Sequence, residues 1–365
     1  MTNDLLYQIA LTLVPNIGCV PAKSLIENFG NAEAVFKARK KDLSAVENIG
    51  PVKANCIKAF EDFKAAEDEI KFIEKYKITP LFITDKNYPQ RLLHCYDSPT
   101  LLYYKGNADL NASKIISIIG TRSNTDYGKQ ITEKLVSDLS ELNVLIVSGL
   151  AFGIDIIAHK SALQNNLETV AVLAHGLHTI YPHQHKTIAK EIVQQGGLLT
   201  EFKNGDKPDK HNFPKRNRIV AGMCDATIVI ETAIKGGSMI TAELANNYNR
   251  DVFALPGKIT DSKSAGCNYL IQSNKAVLFT DAKELMESLG WQSKKINKKQ
   301  QKELFIDLSD DEKIIINILK EKDNTHIDEI NIRSNLSSSS IAAAILNLEL
   351  QNVVTGLPGK MYKVL

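Results

Sequence analysis

The chain has 365 residues, of which 44% are hydrophobic and 24% are charged, and its formal net charge at pH 7 is +2. The length predicts roughly two or three domains, and the near-neutral charge excludes a global electrostatic attraction to nucleic acid, so that any such affinity requires a local basic patch. The absence of an eighteen-residue apolar run and of an N-terminal signal-peptide pattern predicts a cytoplasmic protein that does not bind a membrane.

Residues 1–75 are predicted to form a helical N-terminal domain. Two similar turns interrupt the helical pattern, at residues 14–18 and 46–50, and each ends in an Ile-Gly pair. This arrangement is typical of a helix-hairpin-helix or SAM-like domain, whose backbone amides can approach a DNA phosphate. Two plain helix–helix connections with glycine at a helix C-cap account for the pattern equally well.

Residues 76–112 are predicted to be a connecting segment that packs on the next domain, with strands near 80–84 and 101–104. From 113 to 291, short apolar runs alternate with helical patterns of about ten to fifteen residues. This alternation predicts an α/β domain with a Rossmann-like, mostly parallel sheet covered on both faces, whose ligand binds beyond the carboxyl ends of the strands. The predicted strands are 114–119, 144–148, 169–174, 197–201, 226–231, 251–255 and 276–280.

Residues 292–306 are rich in lysine and are predicted to form a basic linker. The segment 307–365 shows three helical patterns followed by a β-turn-β pattern, which predicts a winged-helix module. Such modules commonly bind duplex DNA through the third helix. Here the third helical pattern, at 338–350, has no Lys or Arg, and we therefore favour a protein-contact or regulatory role for this module.

Three predicted strand-to-helix turns are rich in small residues. Each turn presents unpaired backbone amides at a helix N-terminus, where the helix dipole favours an anion and glycine allows a phosphate to approach the backbone. The sequence contains neither GxGxxG in the first turn nor GxxxxGK[ST], which disfavours a dinucleotide site and P-loop ATP hydrolysis. The residues assigned to this phosphate-binding rim are Gly120 and Arg122, Ser148 and Gly149, and Lys235, Gly236 and Gly237.

The segment 210–218, Lys-His-Asn-Phe-Pro-Lys-Arg-Asn-Arg, places four cations around one aromatic ring and contains no acid. Guanidinium groups match phosphate oxygens, lysine adds a point charge, and a phenylalanine ring can stack on a base. These groups predict a single-stranded nucleic-acid site on a loop that leads into a helix. Considered alone, the segment is also consistent with a solvated basic turn. The residues assigned to binding are Lys210, Phe213, Arg216, Asn217 and Arg218.

Four histidines between residues 175 and 185 raise the hypothesis of a metal site. Metal sites usually require a fixed backbone and a carboxylate or thiolate ligand, and Pro182 prevents a helical pairing of these histidines. The five cysteines have no paired spacing either. We therefore predict no metal, no cofactor and no disulfide framework.

Three carboxylates lie near predicted strand ends, where a hydrolase could use them. Structural roles explain them better, because Asp155 can cap the following helix and Glu201 or Glu231 can hold Arg216 or Arg218 in place. We therefore predict no catalytic residue and no enzymatic activity.

A series of motifs runs through the α/β region in a fixed order. They are Gly120-Thr-Arg122 with Tyr127-Gly128, Ser148-Gly-x-Ala151-x-Gly153-Ile-Asp155 with Ala158-His159, Gly176-Leu-x-x-Ile180-Tyr-Pro182, Phe213-Pro-x-Arg216-Asn-Arg218-Ile219-x-Ala221-Gly222, Gly236-Gly-Ser238-x-x-Thr241-Ala242, Phe253-Ala-x-Pro256-Gly257 and Gly266-x-Asn268-x-Leu270-Ile271. In this order they resemble the DNA-processing protein A family, also called DprA or Smf. Two departures are His178, where the family commonly has Asp, and Thr200, where Ser is common.

The resemblance implies a recombination mediator. Members of the family bind single-stranded DNA without sequence preference, protect incoming DNA during natural transformation and load the RecA recombinase onto it as homodimers. Their usual layout is a helical N-terminal domain, a Rossmann-like DNA-binding domain and a winged-helix module. By position, the resemblance carries the DNA site onto the rim residues and the basic-segment residues assigned above.

Two alternatives belong to other functional classes. A nucleotide hydrolase of the lysine-decarboxylase-like Rossmann group would carry a Pro-Gly-Gly-x-Gly-Thr-x-x-Glu loop. The stretch 235–243 lacks the Pro and the third Gly, and its Thr and Glu are out of register. A duplex-binding transcription regulator is disfavoured by the lack of cations in the third helical pattern of the winged-helix module.

Overall fold

The computed structural model describes residues 3–291, 308–322, 324–351, 353–357 and 360–364. Contacts divide the chain into two compact units, Met1–Trp291 and Gln292–Leu365. The predicted basic linker at 292–306 lies outside the described residues. Within the described ranges, no helix combines the length and the apolar character needed to cross a membrane.

The N-terminal region is helical, as predicted. Asn16 and Asn48 adopt positive φ angles of 64° and 65° in the two turns, a conformation that Asn tolerates better than most residues. Asn31 and Asp62 cap the helices that follow them, because their side chains accept hydrogen bonds from Ala34 N and Ala65 N. The helices are α1 (Asn3–Leu13), α2 (Cys19–Phe29), α3 (Ala32–Lys37), α4 (Lys40–Ala45), α5 (Gly50–Lys58) and α6 (Phe63–Tyr76).

The next region forms one nine-stranded sheet with the order β1-β2-β6-β5-β4-β3-β7-β8-β9. The β1–β2 and β2–β6 pairs are antiparallel and the remaining pairs are parallel, which confirms the predicted Rossmann-like, mostly parallel sheet. The segment 76–112 contributes β1 and β2 to this sheet. The strands are β1 (Thr79–Phe82), β2 (Leu101–Gly106), β3 (Ile115–Ile119), β4 (Leu145–Ser148), β5 (Thr169–Val172), β6 (Gly196–Thr200), β7 (Ala226–Val229), β8 (Asp251–Ala254) and β9 (Val277–Leu278).

Successive residues of β3 explain why the sheet is covered on both faces. Ile115 and Ile119 belong to one hydrophobic cluster, which includes the N-terminal helices, whereas Ile116 and Ile118 belong to another on the opposite face. The helices of this region are α7 (Gln90–Leu93), α8 (Asp126–Asp138), α9 (Ile154–Gln164), α10 (Lys186–Gln194), α11 (Asn212–Gly222), α12 (Gly237–Asn247), α13 (Ala265–Gln272) and α14 (Ala282–Ser288), with short 3-10 turns at Ser140–Leu142 and His183–His185.

The predicted strand ends at 174 and 231 are too late, because β5 ends at Val172 and β7 at Val229. Residues beyond these points leave the ladder and enter the loops at the carboxyl edge of the sheet. The chain moves outward from β3 through β4 and β5 to β6 and then returns to place β7 on the other side of β3. This reversal creates a switch point at the carboxyl ends of β3, β4 and β7, where α/β sheets bind ligands.

The second unit has the predicted winged-helix order of three helices and a small antiparallel sheet, arranged β10-β12-β11. Ser309 and Glu312 form a capping box at the start of the first helix, because each side chain binds the other residue's backbone N–H. Its elements are α15 (Asp310–Lys320), β10 (Thr325–His326), α16 (Ile327–Ser334), α17 (Ser338–Leu350), β11 (Val354–Leu357) and β12 (Met361–Val364).

Candidate nucleic-acid interface

A cleft of about 750 Å³ lies at the switch point of the nine-stranded sheet. The turns after β3, β4 and β7, the loop after β5 and the first turns of α11 form its walls. Nine of the twelve residues assigned from the sequence line it, although they are spread over more than a hundred positions. These nine are Gly120, Arg122, Gly149, Lys210, Phe213, Arg216, Asn217, Gly236 and Gly237.

The basic segment is helical through most of its length, because α11 begins at Asn212. Residues three and four apart share one face of a helix, and residues two apart do not. Phe213, Arg216 and Asn217 therefore face the cleft together. Lys215 and Arg218 lie on another side of α11 and line a second cavity, of about 590 Å³, beside the start of α2. The sequence predicts a loop that leads into a helix but does not predict this division of the basic residues between two cavities.

Phe213 is the centre of the cleft's aromatic surface. The guanidinium carbon of the exposed Arg122 lies 5.3 Å from the centroid of the Phe213 ring. The ring of Tyr181, from the loop after β5, lies 6.0 Å from the same centroid at an interplanar angle of 59°. Lys210 is exposed on the same wall. The cleft therefore combines two accessible cations with two adjacent aromatic rings.

The start of α12 adds an uncapped helix N-terminus to the cleft. Gly236 is the N-cap of this eleven-residue helix, and no side chain caps its N-terminus. At Gly237 the space that a Cβ atom would occupy has no other atom within 4 Å. Unpaired N–H groups at a helix N-terminus attract anions, and glycine leaves room for a phosphate. Lys235 is exposed next to this position but does not line the cleft.

Arg216 lines the cleft from below and is bonded to backbone carbonyl groups. Its guanidinium is buried under the cleft, and its Nη1 donates hydrogen bonds to the carbonyl oxygens of Gly149 and Val172. Its Nε donates to Asn217 Oδ1 at 3.0 Å. Burial lowers the pKa of Arg216 to about 10, opposed by the nearby carboxylate of Asp155, so the group remains cationic at neutral pH. These bonds join the loop after β4 to the end of β5, so Arg216 stabilises the backbone at the base of the cleft.

The structure places Arg218 outside the cleft, apart from the other residues of the basic segment assigned to phosphates. Its guanidinium is buried outside the cleft, where it forms an ion pair with Glu201 and lies 3.7 Å from the sulfur of Cys19. Burial raises the pKa of Glu201, and the charge of Arg218 opposes that shift. This pair confirms the expectation that a strand-end glutamate can hold Arg218. Because a paired, buried guanidinium cannot reach a ligand in the cleft, Arg122 is the arginine that remains accessible.

Ser148 likewise lies outside the cleft. Its side chain is buried and donates a hydrogen bond to the carbonyl oxygen of Ile118 at 2.6 Å, which ties β4 to β3. Glu231 does not hold an arginine, because its carboxylate accepts hydrogen bonds from the N–H and the hydroxyl group of Thr125 and so fixes the start of α8.

Thr200 and His178, which differ from the residues common in the family, both form hydrogen bonds with the backbone. The hydroxyl of Thr200 donates to the carbonyl oxygens of Leu173 and His175, and His178 Nδ1 accepts from Gly205 N at 3.1 Å. In the histidine-containing segment 175–185, His185 also contacts the backbone, because its Nδ1 lies 2.9 Å from the carbonyl oxygen of Leu150. Across the described ranges, no group of three or more His, Cys, Asp or Glu residues is arranged to hold a metal ion.

A Rossmann-like sheet with a cationic, aromatic cleft at its switch point, in a chain that also carries a winged helix, defines a class of α/β proteins built to bind a ligand that combines negative charge with flat rings. The sequence model of the DNA recombination-mediator protein A family matches residues 79–290, and that of the DprA winged helix domain matches residues 302–360. The chain belongs to the DNA recombination-mediator protein A family.

Similar proteins and solved structures support this assignment. Protein Smf of Synechocystis sp. is 38% identical over 291 residues, which cover 78% of this chain and 72% of that protein. DNA processing protein DprA of Streptococcus pneumoniae is 41% identical over 220 residues, or 60% of this chain and 77% of that protein. Its X-ray structure has a TM-score of 0.67 at 34% identity and covers 79% of this chain and 98% of that chain.

A second solved structure, of DNA processing protein A from Helicobacter pylori, is described for its single-stranded DNA binding mode. Its TM-score is 0.54 at 33% identity, and the match covers 58% of this chain and 95% of that chain. The resemblance stated from the sequence motifs is therefore confirmed at the level of the family.

Proposed function

We propose that this protein binds single-stranded DNA in the switch-point cleft without sequence preference, and that it acts as a recombination mediator in natural transformation. The observation that carries the proposal is the contact between Arg122 and Phe213, which places an accessible cation and a base-stacking ring at one point. The single-stranded DNA binding of the Helicobacter pylori relative supports it.

The chemistry of the cleft fits an extended strand. Arg122 and Lys210 supply accessible positive charge, and the open N-terminus of α12 at Gly237 supplies N–H groups for a phosphate. Phe213 offers a flat apolar surface that any base can use. Asn217 lines the cleft with its Oδ1 already accepting a hydrogen bond from Arg216, which leaves its amide N–H groups as donors. The cations, the helix N-terminus and the ring together favour binding through the DNA backbone and through stacking.

The wider role extends to partners. On the family's pattern, the protein would protect incoming DNA in the cytoplasm and load the RecA recombinase onto it as a homodimer. The outer edge of the nine-stranded sheet supports self-association, because Val277 and Leu278 of β9 are 54% and 45% exposed. An exposed apolar edge strand is a template for pairing with a second chain. Changing Leu278→Lys should shift the protein toward the monomer in light scattering, and an unchanged mass would exclude this edge.

The proposed activity is binding and loading, without catalysis by this chain. The sequence lacks a P-loop, and the loop at Gly236 departs from that of the lysine-decarboxylase-like nucleotide hydrolases. Incubation with nucleoside monophosphates should release no free base, and addition of ATP with DNA should give no phosphate. Base release that is lost in Glu231→Gln would favour the hydrolase.

The domain boundaries also belong to this proposal: a helical domain at 1–75, a connecting segment at 76–112, the DNA-binding domain at 113–291, a linker at 292–306 and the winged-helix module at 307–365. Since the cleft is built wholly from the unit Met1–Trp291, residues 1–291 should retain most single-strand affinity. A loss of more than about tenfold, or roughly 1.4 kcal/mol, would assign part of the binding to the linker or the winged helix.

The test is a salt titration of binding to oligo-dT and to a duplex of the same length, followed by fluorescence anisotropy. The wild type should prefer the single strand, and Lys210→Ala should weaken that binding and its salt dependence. Lys190→Ala is the matched control, because Lys190 is exposed on α10 and does not line the cleft. Equal affinity for both nucleic acids, or equal losses in the two lysine variants, would contradict the proposal.

A further inference from the structure

Tyr181 is an accessible aromatic residue that the sequence motifs did not assign to binding. Its side chain is 48% exposed, and it forms part of the cleft wall. Other tyrosines in the described part of the chain are comparably exposed, among them Tyr96 and Tyr127, but these do not line the cleft. An exposed ring at this place has no role in the hydrophobic core, and its position beside Phe213 points to a ligand.

The backbone of Tyr181 is held by buried groups beneath the loop. Its N–H donates a hydrogen bond to His175 Nε2 at 3.2 Å, and the His175 side chain is only 1% exposed. The carbonyl oxygen of His175 in turn accepts a hydrogen bond from the hydroxyl of Thr200 at the end of β6. Tyr181 therefore stands on a fixed support, which lowers the entropy lost when a ligand binds.

The contacts of Phe213 leave room for a second stacking surface. Arg122 covers part of the Phe213 ring, and the rings of Tyr181 and Phe213 are tilted by 59° at a centroid separation of 6.0 Å. The two rings therefore present separate surfaces to the cleft.

We propose that Tyr181 is a second base-stacking residue, so that neighbouring bases of one strand stack on Phe213 and on Tyr181. The inference rests on the single-stranded DNA binding proposed above, and it specifies that the cleft takes at least two unpaired bases. Stacking on two rings would favour a strand whose bases are free over a duplex whose bases are paired.

The test compares Tyr181→Leu with Tyr181→Phe in the full chain, using oligo-dT and an abasic oligomer of the same length. The abasic oligomer keeps the phosphates and lacks the bases. Tyr96→Leu is the matched control, since Tyr96 contacts Tyr248 with the same centroid separation of 6.0 Å and an angle of 57°, outside the cleft. Thermal melts establish that each variant is folded.

Tyr181→Leu should raise the Kd for oligo-dT by about five- to tenfold. It should leave the Kd for the abasic oligomer and the salt dependence unchanged, because no charge is lost. Tyr181→Phe and Tyr96→Leu should bind oligo-dT as the wild type does.

The inference is overturned if Tyr181→Leu binds oligo-dT normally while Phe213→Ala does not, a result that leaves the proposed function intact. It is also overturned if Tyr181→Leu weakens both oligomers equally, which would assign Tyr181 to shaping the phosphate path. A wild type that does not bind oligo-dT would remove the proposed function, and the inference with it.

Discussion

The guanidinium of Arg122 lies over the ring of Phe213, with 5.3 Å between the guanidinium carbon and the ring centroid. The two residues are far apart in the chain and meet because the turn after β3 and the first turn of α11 border the same switch point. An exposed cation–π contact of this kind contributes about 0.5–1 kcal/mol. In the proposed DNA site, the charge of Arg122 and the ring surface of Phe213 should therefore be energetically coupled.

A double-mutant cycle should detect that dependence. Phe213→Ala should weaken oligo-dT binding by about 1–3 kcal/mol and leave the salt slope nearly unchanged, because it removes a base's partner but no charge. The loss of binding free energy in the double variant Arg122→Ala/Phe213→Ala should differ from the sum of the losses in the two single variants by about 0.5 kcal/mol or more. Isothermal titration of the four proteins measures the coupling. Strictly additive losses would show that the contact has no part in binding.

Arg122 and Arg218 should respond differently to the same substitution. Arg122→Ala should flatten the log–log salt dependence of single-strand binding by about 0.7 and leave the Tm nearly unchanged, because Arg122 is exposed. Arg218→Ala should destabilise the protein by about 3–5 kcal/mol, because it leaves the carboxylate of Glu201 buried and unpaired. Thermal melts and salt titrations of both variants distinguish a DNA-contacting arginine from a structural one. A flattened salt slope in a fully stable Arg218→Ala would indicate that Arg218 contacts a phosphate.

Two glycines of the cleft should separate stability from binding. A Cβ atom at Gly149 would lie 2.4 Å from Arg216 Nη1, so Gly149→Ala should displace the guanidinium, cost about 1–3 kcal/mol and lower the Tm. At Gly237 a Cβ atom meets nothing within 4 Å, so Gly237→Ala should keep the wild-type Tm and weaken DNA binding by obstructing the phosphate. Melting curves and anisotropy on both variants test this. Unchanged affinity in Gly237→Ala would mean that no phosphate lies at the start of α12.

His159 should make the folded state sensitive to acid. Its ring is fully buried, with Nδ1 2.7 Å from the hydroxyl oxygen of Thr169, and burial, followed by the charge of Arg216 and the proximity of His185, lowers its pKa from 6.5 to about 3. Between these values the unfolded chain binds a proton and the folded chain does not. The free energy of unfolding should therefore fall as the pH falls from about 6.5 toward 3, by up to about 1.4 kcal/mol per pH unit.

Urea denaturation at several pH values measures this slope. His159→Asn can retain a hydrogen bond to Thr169 and has no titrating ring, so its stability should depend less on pH in the same window. Parallel slopes for the wild type and His159→Asn would show that this histidine does not contribute.

The sequence predicts the mostly parallel sheet and the edge at which its ligand binds, but it does not predict which side chains of the basic segment are accessible. Alternating apolar runs predicted a parallel sheet, and glycine-rich turns predicted where its ligand edge lies, because both depend on local composition. The sequence assigns Arg216 and Arg218 to phosphates because charge alone does not distinguish a free guanidinium from one buried against carbonyl oxygens or Glu201. Helical spacing from Asn212 would have separated Arg218 from Phe213.

Tyr181 is a residue of the cleft that the sequence does not assign to binding. Its motif, Gly176-Leu-x-x-Ile180-Tyr-Pro182, marked the loop, but nothing in the sequence placed that loop beside α11. The contact depends on β5 lying next to β4 in the sheet and on the support from His175, which are long-range features of the fold. An aromatic residue in a loop at the carboxyl edge of the sheet was the one available signal.

The most direct test of the central claim is to map where a single strand touches the full chain. Oligo-dT carrying 5-iodouracil is cross-linked to the protein by ultraviolet light, and the modified peptides are identified by mass spectrometry. Binding in the switch-point cleft predicts cross-links in the peptide that contains Phe213, and their loss in competition with unmodified oligo-dT. Cross-links confined to residues 308–364, with none at Phe213, would contradict the account.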